Sequence, residues 1–536
     1  MEKQKRMVQN IDNSTDVLIV GAGPTGLMMA CQLALHNISF RIIDKNESPS
    51  KNSGALIMQA RSLEIFEQMG IAGKAIEEGI VANKLNILYN GRRITGTFIK
   101  DIGETLSQFP FLLMHEQSKT EKLLLKYIFD HGSSVERGIR FKSLVQDVNG
   151  VTSLLILPDD SEQFIKTSYL IAADGALSTV RDILKIPFDG RTYQKPIFIM
   201  DCNAKTDMLP GEISFAFSNS TIAGFFPLQN SRWRIDSTFP KEMDKLEKIT
   251  YDKVENDFHQ WIKMNVEFQS HEWFSVSHSH QKYAGSIRVQ NCFLVGDAAH
   301  VNTPVGAQGM NTGLQDAFNL AWKLALVIRH KAKPVLLDTY SVERSGISRG
   351  FARYADTAFL IVTSNNIILK FFRLYILKYL WKFLFPIIEK RITFRQMFFK
   401  AISQIGIHYR DSILSYASPE ETFLHGAPRP GDRLPYIEFY YHGENTNNYK
   451  VLEVTCFNLF VFAHTLPDEI KKMAEEFNLA VVLVAYVPET KIIYESLGIR
   501  NTGYYLIRPD MHIALRSASL NAQNLHNYLQ QFLMVK

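Results

Sequence analysis

Residues Asp16 to Val20 (DVLIV) form an apolar run that ends at GAGPTG, Gly21 to Gly26. A helix-like run follows to about His36, and then a second strand-like run, Phe40 to Ile43, stops at Asp44. A G-x-G-x-x-G pattern between a strand and a helix, with an acid 23 residues beyond the first glycine, commits this part of the chain to a βαβ unit. Each position has a physical job. Gly21 allows a tight turn, Gly23 lets backbone approach a pyrophosphate, and Gly26 lets helix and strand pack closely. Asp44 can accept from an adenosine ribose hydroxyl, which favours NAD or FAD over NADP at this place.

Two more acid-glycine sites lie at the ends of strand-like runs. Tyr169 to Ala173 (YLIAA) runs into DGALSTVR, Asp174 to Arg181, where Ser178 and Arg181 follow at helical spacing. In isolation this octet reads equally as an N-cap with a solvated arginine or as part of a site. The third site is LVGDAAHVNTPVGAQGMNTGLQD, Leu294 to Asp316. A strand ends at Gly296-Asp297, a loop carries Pro304, Gly306 and Gly309, and a helix-like run extends from Gly313 to Arg329. Strands that lead through glycines into helix starts present N–H groups and a positive dipole end to an anion.

At 536 residues the chain exceeds one hydrophobic core, so about two to four domains are expected. A net charge of +5 is mild over this length, and no aromatic-basic RNA motif accompanies it, so nucleic acid is not an expected partner. Cys31, Cys202, Cys292 and Cys456 show no C-x-x-C and no metal-ligand spacing. That pattern predicts reduced thiols, no metal and a cytoplasmic protein. No apolar run reaches the length of a membrane span.

Between the second and third sites, Gly190 to Arg288 changes character. Short strands such as Ile197 to Cys202, Glu212 to Phe217, Thr221 to Pro227 and Ser231 to Thr238 surround one helix from about Tyr251 to Met264. Phe225, Phe226, Trp233, Trp273 and Phe274 enrich it in aromatics, which wall a pocket or simply fill a core. Phe351 to Ile392 reads as a long helical tract broken at Pro386, with Lys370, Arg373, Lys378 and Lys382 on about half of its circumference. Packing across domains is favoured there over lying on a membrane surface. HGAPRPGDRLP, His425 to Pro435, reads as a turn-rich linker before a compact α/β segment.

The three motifs together, GAGPTG, DGALSTVR and GDAAHVNTPVGAQGMNTGLQDAFNLAWKLA, resemble the fingerprints of the group A flavin-dependent aromatic monooxygenases, in the phenol 2-hydroxylase and polyketide hydroxylase branch. The resemblance implies a Rossmann-like FAD-binding domain (1–189 and 285–350) with an inserted β-sheet substrate domain (190–284, with 85–111 contributing). A helical connector (351–424) and a C-terminal thioredoxin-like domain (425–536) without redox cysteines would follow.

By the same resemblance, Gly21, Gly23, Pro24, Thr25 and Gly26 hold the FAD pyrophosphate, and Asp44 and Lys45 the adenosine end. Arg61 and Gln117 match positions near the phosphates and ribityl chain. Gly296 and Asp297 match the pyrophosphate–ribityl region. Pro304, Gly306, Gly309, Met310 and Asn311 face the pyrimidine end of the isoalloxazine. Asp174, Gly175 and Arg181 match the motif shared between FAD and NAD(P)H. The implied chemistry is reduction by NADH or NADPH, reaction with O2 to a flavin C4a-hydroperoxide, and attack by an electron-rich aromatic ring.

Relatives carry a basic residue where this chain has Gly54, and the phenol hydroxylase branch has a catalytic acid where it has Leu56. No catalytic base is named in its place. His115, His278, His280 and His300 are candidates by residue type only. The expected partners are a small aromatic substrate and O2, and a homodimer is compatible with the pattern. Two alternatives stand beside this reading: oxygenation of an antibiotic such as a rifamycin or tetracycline, and a FAD-binding protein without oxygenase turnover at a membrane surface.

Overall fold

The apolar run at the N-terminus becomes a central strand, Thr15–Val20, buried along its last four residues. In the computed structural model, which describes residues 15–50, 54–219, 221–240, 249–303, 308–346, 376–417 and 423–535, this strand sits inside an eight-stranded sheet. It pairs in parallel with Glu162–Ala172 on one side and Phe40–Asp44 on the other. Cys292–Leu294 extends the parallel set beyond Glu162–Ala172, and Val135–Arg137 extends it beyond Phe40–Asp44. Continuous burial of such strands is what a parallel sheet covered on both faces requires.

The strand Glu162–Ala172 is one element of 11 residues, although the sequence reads there as two short runs, Gln163 to Lys166 and Tyr169 to Ala173. Its first half pairs antiparallel with Gly150–Ile156, and its second half pairs in parallel with the first strand. A single extended segment thereby serves a hairpin and the central sheet.

The helix Gly309–Ile328 is buried on all sides from Asn311 to Val327. It begins at Gly309, four residues before the start expected at Gly313. Its approach to the glycine-loop helix, Pro24–Leu35, is very close: a Cβ on Gly313 would stand 2.2 Å from Thr25 Oγ1, and one on Gly296 would stand 2.5 Å from the same atom. Glycine at both positions lets the first and third motifs touch through one threonine.

A second eight-stranded sheet runs in the order His300–Val301, Val266–Ala284, Phe188–Thr206, Arg232–Thr238, Ile222–Pro227, Glu212–Phe217, Lys84–Tyr89, Arg92–Phe98. Its outer face packs on the helix Tyr251–Ile262 through a separate core that includes Phe198, Phe225, Trp233 and Phe258. The inner face turns to the first sheet's domain. Arg232 reaches Glu116 at 3.1 Å and Arg234 reaches the Gly54 carbonyl at 3.5 Å. The strands Lys84–Tyr89 and Arg92–Phe98 join this sheet.

The C-terminal segment forms a five-stranded mixed sheet. HGAPRPGDRLP, expected as a linker, is instead knitted to that sheet: Gly431 N–H donates to Ile513 O at 2.7 Å, and Leu434 N–H to Met511 O at 2.8 Å. The helical tract expected across 351–392 falls partly outside the described residues, including Lys370 and Arg373. The described helix Leu377–Lys390 passes through Pro386 and ends at Arg391. No helix among the described residues is long and apolar enough to cross a membrane.

A buried ionic cluster fastens the C-terminal sheet to the long helix. Arg508 binds Glu343 at 2.7 and 2.8 Å and Asp510 at 2.9 Å. Lys323 binds Glu343 at 2.7 Å. Burial alone raises the Glu343 carboxyl, but the charges of Arg508 and Lys323 outweigh it and hold it down at about 2. Removing the guanidinium leaves Glu343 to Lys323 and takes from Asp510 its arginine partner. Arg508→Ala is expected to cost about 3–5 kcal/mol, read as a lower thermal transition, and an unchanged transition would refute the tie.

Candidate functional site: the strand-end cleft

Four neighbouring parallel strands present their carboxyl ends side by side, in the order Cys292–Leu294, Glu162–Ala172, Thr15–Val20, Phe40–Asp44. Those ends carry Gly296-Asp297, Asp174-Gly175, the loop Gly21–Gly26, and Asp44. At about 4.8 Å per strand spacing, the sheet gathers three separated motifs into one row. A cleft of about 380 Å³ opens over the part of the row from Asp174 to Asp44, lined by Gly21, Gly23, Asp44, Lys45, Gln117, Asp174 and Gly175 among others. A larger hollow of about 730 Å³ lies beside Tyr436, Tyr440 and Glu489. It has no glycine loop and no strand-end row, so its size does not make it the site.

The glycines divide by role. Gly21 has φ +102°, and a Cβ there would meet the Ala173 carbonyl at 2.3 Å; one on Gly26 would meet the Gly21 carbonyl at 1.9 Å. Both positions are dictated by the protein's own packing. Gly23 is different: a Cβ there would meet nothing within 4 Å, and it lines the cleft. Gly23 is also the N-cap of Pro24–Leu35 and supplies no side-chain cap. The first-turn N–H groups of that helix are left for an anion.

Asp44 is half-buried and already accepts from two backbone donors, Ala22 N–H at 2.7 Å and Asn46 N–H at 2.8 Å. A carboxylate has about four acceptor sites, so it retains capacity for a hydroxyl. Gln117 accepts from Ala55 N–H at 2.9 Å and donates to Glu121 at 2.9 Å. Asp174 accepts from Val180 N–H at 3.2 Å through one oxygen, while its other oxygen is buried without a hydrogen bond. Burial, only partly offset by hydrogen bonding from Ser178 and from backbone N–H groups, pushes its carboxyl up.

Arg137 is a cleft residue that sequence reasoning misses. Register sets it beside Asp44 on the neighbouring strand, and one of its buried guanidinium nitrogens has no hydrogen-bond partner. A cation, open N–H groups and acceptors along one row match the phosphate and hydroxyl pattern of a dinucleotide.

Asp297 stands at the end of the row. It is exposed among buried neighbours, yet the surrounding protein is dense enough to raise its carboxyl. Desolvation is the main cause, Asp316 adds to it, and His300 opposes. An accessible side chain in a crowded recess is placed to meet a ligand. Beside it the helix at Gly309 starts without a side-chain cap, and a Cβ on Gly309 would meet nothing within 4 Å. Asn311 faces away: it accepts from Gln59 N–H and Ser62 Oγ and donates to Ile57 O. Pro304 and Gly306 lie outside the described residues.

Two arginines expected at the cofactor are engaged elsewhere. Arg61 is buried and donates to the Asp510 carbonyl at 2.7 Å and to Glu64 at 3.1 Å. It fastens the C-terminal segment, where its long side chain finds carbonyl and carboxylate partners together. Arg181 donates to the carbonyls of Ala298 at 3.1 Å and Ala176 at 2.8 Å, with Phe188 3.8 Å beneath it. It braces the second motif against the third and is not open to a docking nucleotide.

Each candidate histidine is engaged within the protein through one ring nitrogen. His115 is buried against Thr120 at 2.9 Å, and desolvation lowers it to about 4. His300 sits on Asp316 at 2.7 Å. His278 and His280 bond Tyr193 O and Thr192. Leu56 is buried and Gly54 is exposed, so that segment offers no acid. Of the aromatics in the second sheet, Phe226 and Trp273 are on the inner face, while Phe225, Trp233 and Phe274 belong to the outer core.

Because Gly23 and Gly26 differ in what surrounds them, two substitutions separate folding from cofactor retention. Gly26→Ala is expected to lower the thermal transition of the chain. Gly23→Val should stay within about 0.5 kcal/mol of wild type in stability while losing bound flavin on gel filtration. Full flavin content in Gly23→Val would remove the loop from the site.

Residues 14–355 match the family model described as "FAD binding domain". The chain is 28% identical to 6-methylpretetramide 4-monooxygenase of Streptomyces rimosus over 531 residues, covering 96% of this chain and 93% of that protein. It is 31% identical to rifampicin monooxygenase of Streptomyces venezuelae, covering 62% of this chain and 68% of that one. Its fold is similar to the crystal structure of the flavin-dependent monooxygenase PieE in complex with FAD and substrate, at 22% identity and TM-score 0.80 over 97% of this chain and 100% of that one. The chain belongs to the FAD binding domain family, and within it to the FAD-dependent monooxygenases.

Proposed function

We propose that this enzyme hydroxylates a polycyclic, polyketide-like aromatic substrate, using FAD with NADH or NADPH and O2. The observation that carries the reading is the row of strand ends, with an open helix start, orphaned polar atoms and Asp297, facing a sheet whose inner side carries Phe226 and Trp273. Similarity along 96% of the chain to a pretetramide hydroxylase supports a fused-ring substrate. The 31% identity to a rifampicin monooxygenase supports a second reading, oxygenation of an antibiotic by the same chemistry.

In this reading the N–H groups of Thr25 and Gly26 hold the pyrophosphate, and Pro24 presets the first turn. Asp44, Lys45 and Arg137 take the adenosine end. Gln117 and Asp174 line the middle of the dinucleotide, and Asp297 receives the ribityl hydroxyls. When bound, the flavin supplies O2 activation and the transfer of one oxygen atom to the ring. The backbone at Gly309–Asn311 stabilises negative charge at the flavin's pyrimidine edge. The inner face of the second sheet excludes water from the reacting ring. Since Arg181 is held inside, Asp174 and Gly175 are the parts of the second motif that remain at the cleft for NAD(P)H.

The four parallel strand ends also support a Rossmann-like FAD domain built from 1–189 and 285–350, with 190–284 as the substrate domain. In the C-terminal segment a parallel pair, Asn458–Phe462 with Ala480–Val484, is followed by the antiparallel strands Gly503–Ile507 and Ile513–Ser517. That order supports a thioredoxin-like domain over 425–536. All four cysteines are buried and free, so no redox role is assigned to it.

Purified protein should be yellow and should oxidise NADH or NADPH faster when a tetracyclic phenol such as anhydrotetracycline is added, with a product heavier by one oxygen. A flavin-loaded enzyme whose NAD(P)H oxidation ignores tetracyclic phenols and rifamycins alike, and which forms no oxygenated product, would overturn the proposal.

A further inference from the structure

Asp236 lies on Arg232–Thr238, the strand that carries Arg232 and Arg234 along the inner face of the second sheet. Alternation puts all three on that side, and the contacts of Arg232 with Glu116 and Arg234 with Gly54 O fix which side it is. Asp236 is in register with Gly224 on one neighbouring strand and Ile199 on the other. Gly224 carries no side chain, and the Phe226 ring lies over it: a Cβ there would stand 2.8 Å from that ring. Oδ1 of Asp236 is buried and has no hydrogen-bond partner among the described residues. A buried carboxyl oxygen left unbonded is costly, and native structures keep such groups for a reason.

The arginines on this face do not relieve it. Arg234 is held by Asp201 through two bonds of 2.7 Å. Arg232 is held by Glu116 at 3.1 Å and Glu272 at 2.7 Å. Each guanidinium is thus matched by carboxylate before any ligand arrives. The strand offers an arriving ring a proton acceptor and two cations that are already neutralised.

We infer that Asp236 receives a hydroxyl of the aromatic substrate, and that the site therefore selects rings bearing a free phenolic or enolic hydroxyl over rings bearing a carboxylate. The inference rests on the hydroxylase reading above and names the substrate chemistry it requires. In the complex the substrate O–H bond breaks, the proton passes to the Asp236 carboxylate, and the electron pair stays on the ring oxygen. The ring carbons ortho and para to that oxygen become richer in electrons, which is the activation an electrophilic oxygen needs. An acid on the second sheet thereby takes the part that Leu56 cannot.

Burial pushes the Asp236 carboxyl up to about 6, with Arg234 opposing and Asp201 adding. Its two register neighbours, Gly224 and Ile199, carry no charge. Asp236 is therefore ionised and able to accept above about pH 6 and becomes neutral below it.

The test uses flavin-loaded enzyme and a matched pair of probes, 2-hydroxyanthraquinone and anthraquinone-2-carboxylate. Binding is read by quenching of tryptophan fluorescence, and ionisation of the bound hydroxyl by its red-shifted absorption. The hydroxyl probe should bind at least about tenfold more tightly than the carboxylate. It should appear ionised when bound at pH 7.5, and lose that band as pH falls through about 6. Asp236→Asn should keep its FAD but lose the ionised band and most of the preference. Asp236→Glu should recover part of both. Equal binding of the two probes overturns the inference, and so does an ionised band that survives in Asp236→Asn. Failure of the chain to take up FAD instead removes the reading beneath it.

Discussion

Asp316 is the carboxylate on which the arrangement hangs. Fully buried in the long helix, it accepts from Gly296 N–H at 2.9 Å, meets His300 Nε2 at 2.7 Å, and binds Arg344 Nε at 2.7 Å. Burial by itself raises this carboxyl, but His300 and Arg344 outweigh it and hold it below its ordinary range. Arg344 in turn donates to the Thr312 carbonyl and the Tyr409 hydroxyl at 3.1 Å each. One charge thus sets the turn that carries Asp297, the start of the helix at Gly309, and a contact to the C-terminal half. A buried pair is strongly destabilising when broken from one side, which keeps these three pieces in one relative position.

Around that anchor, the molecule separates stiffness from chemical openness. Gly21, Gly26, Gly296 and Gly313 sit against backbone or Thr25 with no room for a side chain. Gly23 and Gly309 face open space. Arg181, Arg344 and Arg508 are spent on carbonyls and carboxylates within the protein. Arg137, Asp174 and Asp236 each retain a buried polar atom without a hydrogen bond. At these three positions, on the cleft row and on the inner face of the second sheet, a ligand group would complete the set.

The glycine loop, Asp44, Asp174 and Asp297 were readable from the sequence because each sits at the end of an apolar run whose local pattern announces a strand. The long helix was legible in type but not in its start, since Gly309 to Thr312 carry no helix-start signal of their own. Arg61 and Arg181 were not legible in role. Their spacing places them beside the cofactor motifs, yet a partner 449 positions away takes the first and a carbonyl 117 positions away the second. A long flexible side chain goes to the best buried acceptor within reach, and only the folded chain shows which that is.

By itself the sequence determined the βαβ start, the three strand-end motifs and the absence of redox cysteine pairs, because all of these are encoded in spacing over a few residues. Tertiary structure alone decided that the three motifs form one row, since that follows from parallel pairing between strands far apart in the chain. It also decided which face of the second sheet meets the cofactor domain. A shift of one residue in register exchanges the faces of a strand, and so moves Asp236 between the inner face and the outer core. The sequence holds the same aspartate either way; the pairing of Asp236 with Gly224 and Ile199 gives it a chemical task.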